Sequence, residues 1–95
     1  MLIDQPQLSI VVPLYNEEDS VSLLYQKICE AVDPMEIAYE ILFVNDGSQD
    51  RTFEVASGIA QSDPKLRVIE LRKNYGQTPA MAAGIDTARG KVLAT

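Results

Sequence analysis

The chain has 95 residues, enough for one domain with a modest core. Eight Lys and Arg against fourteen Asp and Glu leave a net charge of −6, with no His to alter it, so neither a nucleic-acid platform nor an anionic-membrane binder fits. The lack of His and the single cysteine, Cys29, exclude a His/Cys zinc site, a His-containing triad and an internal disulfide, and an apolar content of 46% excludes a disordered chain.

The first residues, Met1 to Pro6, have no basic segment and no long apolar core, so no signal peptide is expected. No stretch is long enough to span a bilayer, and a cytoplasmic setting is the default. Leu8 to Pro13 is a short apolar run without clean alternation, which predicts a strand covered on both faces. Pro13 should end it, having no N–H for the ladder. Glu17-Glu18-Asp19-Ser20 then predicts an acidic first helical turn, followed by a stripe of Val21, Leu24, Ile28 and Val32. Asp33-Pro34 stops that helix.

Tyr39 to Val44 predicts a second strand, nearly continuous in apolar residues. Asn45-Asp46-Gly47-Ser48 is a turn cluster, and Ser48 and Asp50 both offer caps for a helix from about Arg51 to Gln61. Phe53, Ala56 and Ala60 mark its inner stripe, and Gly58 suggests close packing. After Asp63-Pro64, Arg67 to Leu71 alternates more clearly and predicts a third strand nearer a sheet edge. Arg72 to Gln77 is a polar loop. Thr78 as N-cap and Pro79 at the first helical position open a third helix, with Met81, Ile85 and Ala88 on one face and Gly90 at its end. Lys91 to Thr95 reads as a buried fourth strand.

Strands alternating with helices in this way predict an α/β fold: a parallel, doubly wound, Rossmann-like sheet of about four strands and three helices. In such sheets ligands lie beyond the carboxyl ends of the strands. Three segments share that rim: Pro13 to Glu17, Asn45 to Ser48 and Arg72 to Gln77. Neither a Gly-rich dinucleotide fingerprint nor a P-loop follows the first strand. The rim offers instead an aromatic ring (Tyr15), an amide (Asn16) and carboxylates (Glu17, Glu18, Asp46). Such carboxylates accept hydrogen bonds from base N–H groups or ribose hydroxyls, or help hold a divalent cation. An aromatic ring stacks on a base. These features suit the nucleoside end of a nucleotide, with phosphate charge met by Arg72-Lys73 and the helix start at Thr78. The plainer readings are helix-start charges for Glu17 to Asp19, a tight turn at Asp46-Gly47 and packing roles for Cys29 and Met81.

The segments Ser9-Ile10-Val11-Val12-Pro13-Leu14-Tyr15-Asn16-Glu17-Glu18, Phe43-Val44-Asn45-Asp46-Gly47-Ser48-Gln49-Asp50-Arg51-Thr52 and Arg72-Lys73-Asn74-Tyr75-Gly76-Gln77, in that order, closely resemble the start of family 2 glycosyltransferases. These are inverting enzymes of the GT-A fold. The branch most similar includes dolichol-phosphate mannose synthases and bactoprenol glucosyltransferases. The resemblance implies that Pro13, Tyr15 and Glu17 wall the base and ribose, that Asp46 accepts the base N–H, that Gly47 and Ser48 shape its loop, and that Gly76 and Gln77 approach the nucleotide. Many members have Asp where this chain has Asn45.

The resemblance further implies a nucleotide-sugar donor, UDP- or GDP-linked, and a parent that transfers a hexose to a polyprenyl phosphate at the cytoplasmic face of a membrane. The family's divalent cation, Mg²⁺ or Mn²⁺, is held by an Asp-x-Asp motif after the fourth strand, and this chain is expected to stop just before it. On that reading residues 1–95 are a nucleotide-binding half-domain, inactive alone, with the strand Val92 to Ala94 left as an aggregation liability. The alternative is a receiver-like signalling domain of flavodoxin topology. It needs a phospho-accepting Asp after the third strand, where Arg72-Lys73 stands instead.

Overall fold

Apolar runs that lack alternation become the middle of a parallel sheet, because both of their faces are covered. A computed structural model of the chain describes residues 5–94 and has this arrangement. Its elements are β1 (Leu8–Leu14), α1 (Val21–Val32), a short 3-10 turn (Asp33–Met35), β2 (Tyr39–Asn45), α2 (Thr52–Ser62), β3 (Leu66–Glu70), α3 (Gln77–Thr87) and β4 (Lys91–Ala94). All strand pairs are parallel, in the order β3-β2-β1-β4. β2 is buried along its whole length, as a central strand should be. The readings made of residues 1–4 and of Thr95 lie outside the described residues.

Alternate residues of the central strands feed two cores. Ile10, Val12, Ile41 and Phe43 face Val21 and Val32 of α1 and Ala56 of α2. Val11, Leu42 and Val44 face Ala80 of α3. Helices therefore cover both faces, and the expected doubly wound sheet is present. The order also removes the receiver-like alternative. A flavodoxin sheet runs 2-1-3-4-5, with its third strand beside the first. Here β3 lies beside β2, and β4 takes the place beside β1.

Several local expectations are corrected. β1 continues past Pro13 to Leu14. The Leu14 carbonyl accepts the Asp46 N–H at 2.8 Å, so Leu14 turns toward β2 and Pro13 toward β4. The last described β4 pair is Val11↔Ala94, so Pro13 lies beyond the described part of that ladder. Glu17 to Asp19 precede α1 rather than forming its first turn, and the Glu17 carbonyl accepts the N–H groups of Ser20 and Val21. Neither expected cap holds the N-cap position of α2, which is Arg51; Asp50 stands just before it and accepts the Thr52 N–H at 2.9 Å, whereas Ser48 is engaged elsewhere. β3 is an edge strand but starts at Leu66 and ends at Glu70.

Three glycine or helix-end readings also change. Gly58 packs against nothing: a Cβ there would meet no atom within 4 Å. α3 starts at Gln77 with Gly76 as its N-cap, which moves Thr78 and Pro79 into the first turn. Its buried residues are Ala80 and Gly84; of the expected face, Met81 and Ala88 pack partly against the core, while Ile85 is 44% exposed. The reason is clearance: Gly84 lies so close to Val11 and Val44 that no larger residue fits. α3 ends at Thr87, and Gly90 lies beyond it, passing close to the backbone of Pro6 and Leu8. β4 is not buried; Val92 is 36% and Leu93 52% exposed, because no helix among the described residues covers its faces.

One buried charge escaped the apolar reading of β2. Glu40 is 1% exposed. It accepts hydrogen bonds from Ser9 Oγ at 2.6 Å, the Arg89 N–H at 2.8 Å and Arg67 Nη2 at 2.8 Å, with Arg89 Nη2 at 3.1 Å. Burial alone would raise its pKa, but these donors outweigh it and hold the carboxyl at about 2. The Gly90 N–H donates to Ser9 Oγ at 2.8 Å, so the network ties the turn before β4 to the sheet.

Candidate functional site at the carboxyl rim

β1 and β2 are paired from Leu8↔Tyr39 to Leu14↔Asn45, so their carboxyl ends finish level. The loops that follow are tied together. Asn16 adopts φ 53, a left-handed conformation that Asn tolerates better than most residues. Its N–H donates to Ser48 Oγ at 2.9 Å, and its Oδ1 accepts the Gln49 N–H at 2.8 Å. The Glu17 N–H donates to Thr52 Oγ1 at 2.7 Å, and the Glu18 N–H to Asp50 Oδ2 at 3.2 Å. Burial works upward on the Asp50 pKa, but the donors from Thr52 and Glu18 hold it below its ordinary value.

Asp46 joins the third loop to the second. It is 3% exposed. Oδ1 accepts the Tyr75 N–H at 2.8 Å, while Oδ2 accepts the Gly76 N–H at 3.0 Å and Asn74 Nδ2 at 3.0 Å. Gly47 makes this approach feasible: its φ is 66, and a Cβ would stand 2.2 Å from the Lys73 carbonyl carbon. Gly76, at φ 103, then turns the chain into α3, its carbonyl accepting the Ala80 N–H at 3.2 Å.

A cavity of about 350 Å³ lies among these loops, within the usual range for small-molecule sites. Pro13, Tyr15, Glu17, Asp46, Gly76 and Gln77 line it, all anticipated from the sequence. Gly47 and Ser48 do not; they shape the wall from behind, Gly47 under Lys73 and Ser48 under Asn16. Leu14 and Asn74 line it without having been singled out for it. Leu14 follows from the extra strand residue, and Asn74 from a loop fold that no local pattern encodes. Tyr15 is 43% exposed, so its ring is open to stacking.

Among the described residues no group of three or more His, Cys, Asp and Glu is placed to hold a metal ion. Only Glu17 and Asp46 bring carboxylates to the cavity, and three donors already occupy the Asp46 carboxylate. The residues described therefore do not fit a divalent cation. No helix of the described residues is long and apolar enough to cross a membrane. A second titratable cluster lies away from this rim: Lys65 Nζ is 2.6 Å from Asp63 Oδ2 and sits over the Tyr25 and Tyr39 rings. Burial and the hydrogen bonds to Asp63 and Asp33 push both tyrosines well above their ordinary pKa.

Residues 9–95 match the family model described as Glycosyl transferase family 2. The dodecaprenyl-phosphate galacturonate synthase of Rhizobium johnstonii is 44% identical over 90 residues, covering 94% of this chain and 27% of that protein. The chain thus spans about a quarter of the length of the curated relatives it matches. Among solved structures, the mannosyltransferase PcManGT of Pyrobaculum calidifontis, in complex with GDP-Man and Mn²⁺, superposes with a TM-score of 0.73 at 24% identity, over 88% of this chain and 25% of that one. Residues 1–349 of S. aureus TarS in complex with UDP give a TM-score of 0.76 at 23% identity, over 94% of this chain and 26% of that one. At those identities the likeness carries the fold, that of the GT-A glycosyltransferases.

Proposed function

Since the chain belongs to glycosyl transferase family 2, we propose that its carboxyl rim binds the nucleoside end of a nucleotide-sugar donor. The observation that carries this reading is the cavity that joins the exposed Tyr15 ring to the buried Asp46 carboxylate at the ends of β1 and β2. In it Asp46 accepts a base N–H, Tyr15 offers a stacking face, and Pro13 and Glu17 complete the base-and-ribose wall. Gly76 and Gln77 close the side toward α3, with Gly47 and Ser48 holding the loop behind Asp46.

For the whole protein we propose inverting transfer of a hexose from a UDP- or GDP-linked donor to a polyprenyl phosphate at the cytoplasmic face of a membrane. The named activity of the Rhizobium relative supports the acceptor class, and the GDP-Man and UDP complexes support the donor class. The Mn²⁺ in the PcManGT complex supports a divalent cation in the whole enzyme. Residues 1–95 supply the nucleotide-binding half, and its ligands for that cation lie elsewhere. No nucleic acid is a partner on this reading.

Calorimetric titration of UDP and GDP into the chain tests the reading. One nucleotide should bind, and Tyr15→Ala and Asp46→Ala should both weaken it. Asp46→Ala also frees the third loop, so Tyr15→Ala, which breaks none of the Asp46 bonds, is the cleaner arm. No binding of either nucleotide, or equal binding by both variants, overturns the assignment.

A further inference from the structure

Asn74 spends its side-chain amide on a single residue. Nδ2 lies 3.0 Å from Asp46 Oδ2 and 3.1 Å from the Asp46 carbonyl oxygen. The other donors to this carboxylate are main-chain groups of the same loop, Tyr75 N–H to Oδ1 and Gly76 N–H to Oδ2. A carboxylate offers about four lone-pair positions. Both positions on Oδ2 are filled, and one on Oδ1. The one acceptor position left over is on Oδ1, in a side chain that lines the cavity. An amide bridging the carbonyl and the carboxylate of one residue also fixes that residue's side-chain rotation.

We propose that Asn74 is a positioning residue of this site: it locks the Asp46 carboxylate so that a single acceptor position, on Oδ1, is presented to the base. This rests on the cavity being the base pocket. The consequence is selectivity. One fixed acceptor pairs with a base that carries a ring N–H, such as uracil or guanine. Cytosine N3 is itself an acceptor, so cytosine can pair with this position only through its exocyclic N4 amino group, in a shifted and less favourable pose. Without Asn74 the carboxylate keeps its charge but gains a second open acceptor position, on Oδ2, and is held less firmly, so the discrimination falls. The main-chain donors of Tyr75 and Gly76 stay in place whatever their side chains, so Asn74 is the part of the lock that substitution can remove.

The test is titration of UDP, GDP and CDP into the chain and into Asn74→Ala and Asn74→Asp. The unaltered chain should prefer UDP or GDP over CDP. Asn74→Ala should reduce that preference about tenfold, the scale of hydrogen bonds to a charged group, with CDP binding little changed. Asn74→Asp places two carboxylates together; it should lose the preference at about pH 8 and regain it at about pH 5, where a shared proton restores a donor. A merely structural role would weaken all three nucleotides together, without recovery in acid. A preference undiminished in Asn74→Ala overturns the proposal.

If the unaltered chain shows no base preference, the base-pocket reading fails, and amide hydrogen exchange decides the lock by itself. Tyr75 and Gly76 amides should then exchange about tenfold faster in Asn74→Ala, while Phe43 and Val44 keep their protection. Unchanged exchange at Tyr75 and Gly76 overturns the lock as well.

Discussion

Arg67 reaches across the β2–β3 pair to Glu40, its Nη2 2.8 Å from Oε1 of a carboxylate that is 1% exposed. Glu40 is depressed from its ordinary 4.5 to about 2 when folded. A carboxyl that binds protons less readily when folded stabilises the fold above its unfolded pKa, and that stabilisation is lost as pH falls through the folded value. The window is therefore from about pH 4.5 down to about pH 2. The shift corresponds to about 3 kcal/mol. Glu40→Gln should cost a similar amount at neutral pH, and its urea midpoint should fall less steeply across that window than that of the unaltered chain, because Asp50 and Asp63 still titrate. Parallel acid profiles for the two proteins would assign the acid loss to another group.

Asn16 carries both a left-handed φ of 53 and a hydrogen bond from the Gln49 N–H. Its two substitutions separate these effects. Asn16→Gly keeps the conformation and loses the acceptor, a cost of about 1 kcal/mol. Asn16→Val loses the acceptor and adds β-branched strain at positive φ, and should cost about 1–2 kcal/mol more. Thermal melts rank the three proteins, and equal losses for Gly and Val would show that the backbone at this position relaxes freely.

The strands were legible because burial on both faces leaves a direct trace: β2 is apolar nearly throughout, and it is central. Its one acid, Glu40, was invisible as a buried ion because its partners, Arg67 and Arg89, come from β3 and the turn before β4. The same distance in sequence hid the bond that gives Asn74 its place, since its partner Asp46 is 28 residues away, although the rim segment Arg72 to Gln77 contained it. Tyr15 and Asp46 were legible because each directly follows a strand that points at the rim. Helix starts were the least legible. Glu17 and Glu18 resemble a first turn by charge, yet their N–H groups are used by Thr52 and Asp50, a contact only the folded chain makes.

Gly47 separates loop docking from fold stability. A Cβ at this position meets main-chain atoms of Lys73 and Asn74 at 2.2 and 2.3 Å, and its φ is 66. Main chain cannot turn aside as a flexible side chain can, so Gly47→Ala must push the third loop off Asp46. The lost bonds lie at the rim, not in the core, so the thermal midpoint should fall by only about 5–10 °C, equivalent to about 1–2 kcal/mol in a domain of this size. Nucleotide binding should fall by at least about tenfold, because the wall formed by Asn74, Gly76 and Gln77 moves. Retained binding in Gly47→Ala would show that this wall does not touch the ligand.

Gly58 and Gly84 both sit inside helices, where glycine costs roughly 1 kcal/mol relative to alanine. The same substitution should have opposite signs at the two sites. At Gly58 the added methyl meets nothing within 4 Å, so Gly58→Ala recovers helix propensity and should stabilise by about 0.5–1 kcal/mol. At Gly84 the methyl would stand 2.2 Å from Val11 Cγ1 and 3.0 Å from Val44 Cγ2. Val11 and Val44 are fully buried between the sheet and α3, so neither has room to turn away. Gly84→Ala must lift α3, at a cost of about 1–3 kcal/mol that exceeds the propensity gain. Because α3 begins at the cavity with Gln77, the lifted helix should also weaken nucleotide binding, whereas Gly58→Ala should leave it unchanged. Urea denaturation and nucleotide titration of the two variants measure both effects, and a stabilised Gly84→Ala would mean that α3 is not seated on Val11 and Val44 as described.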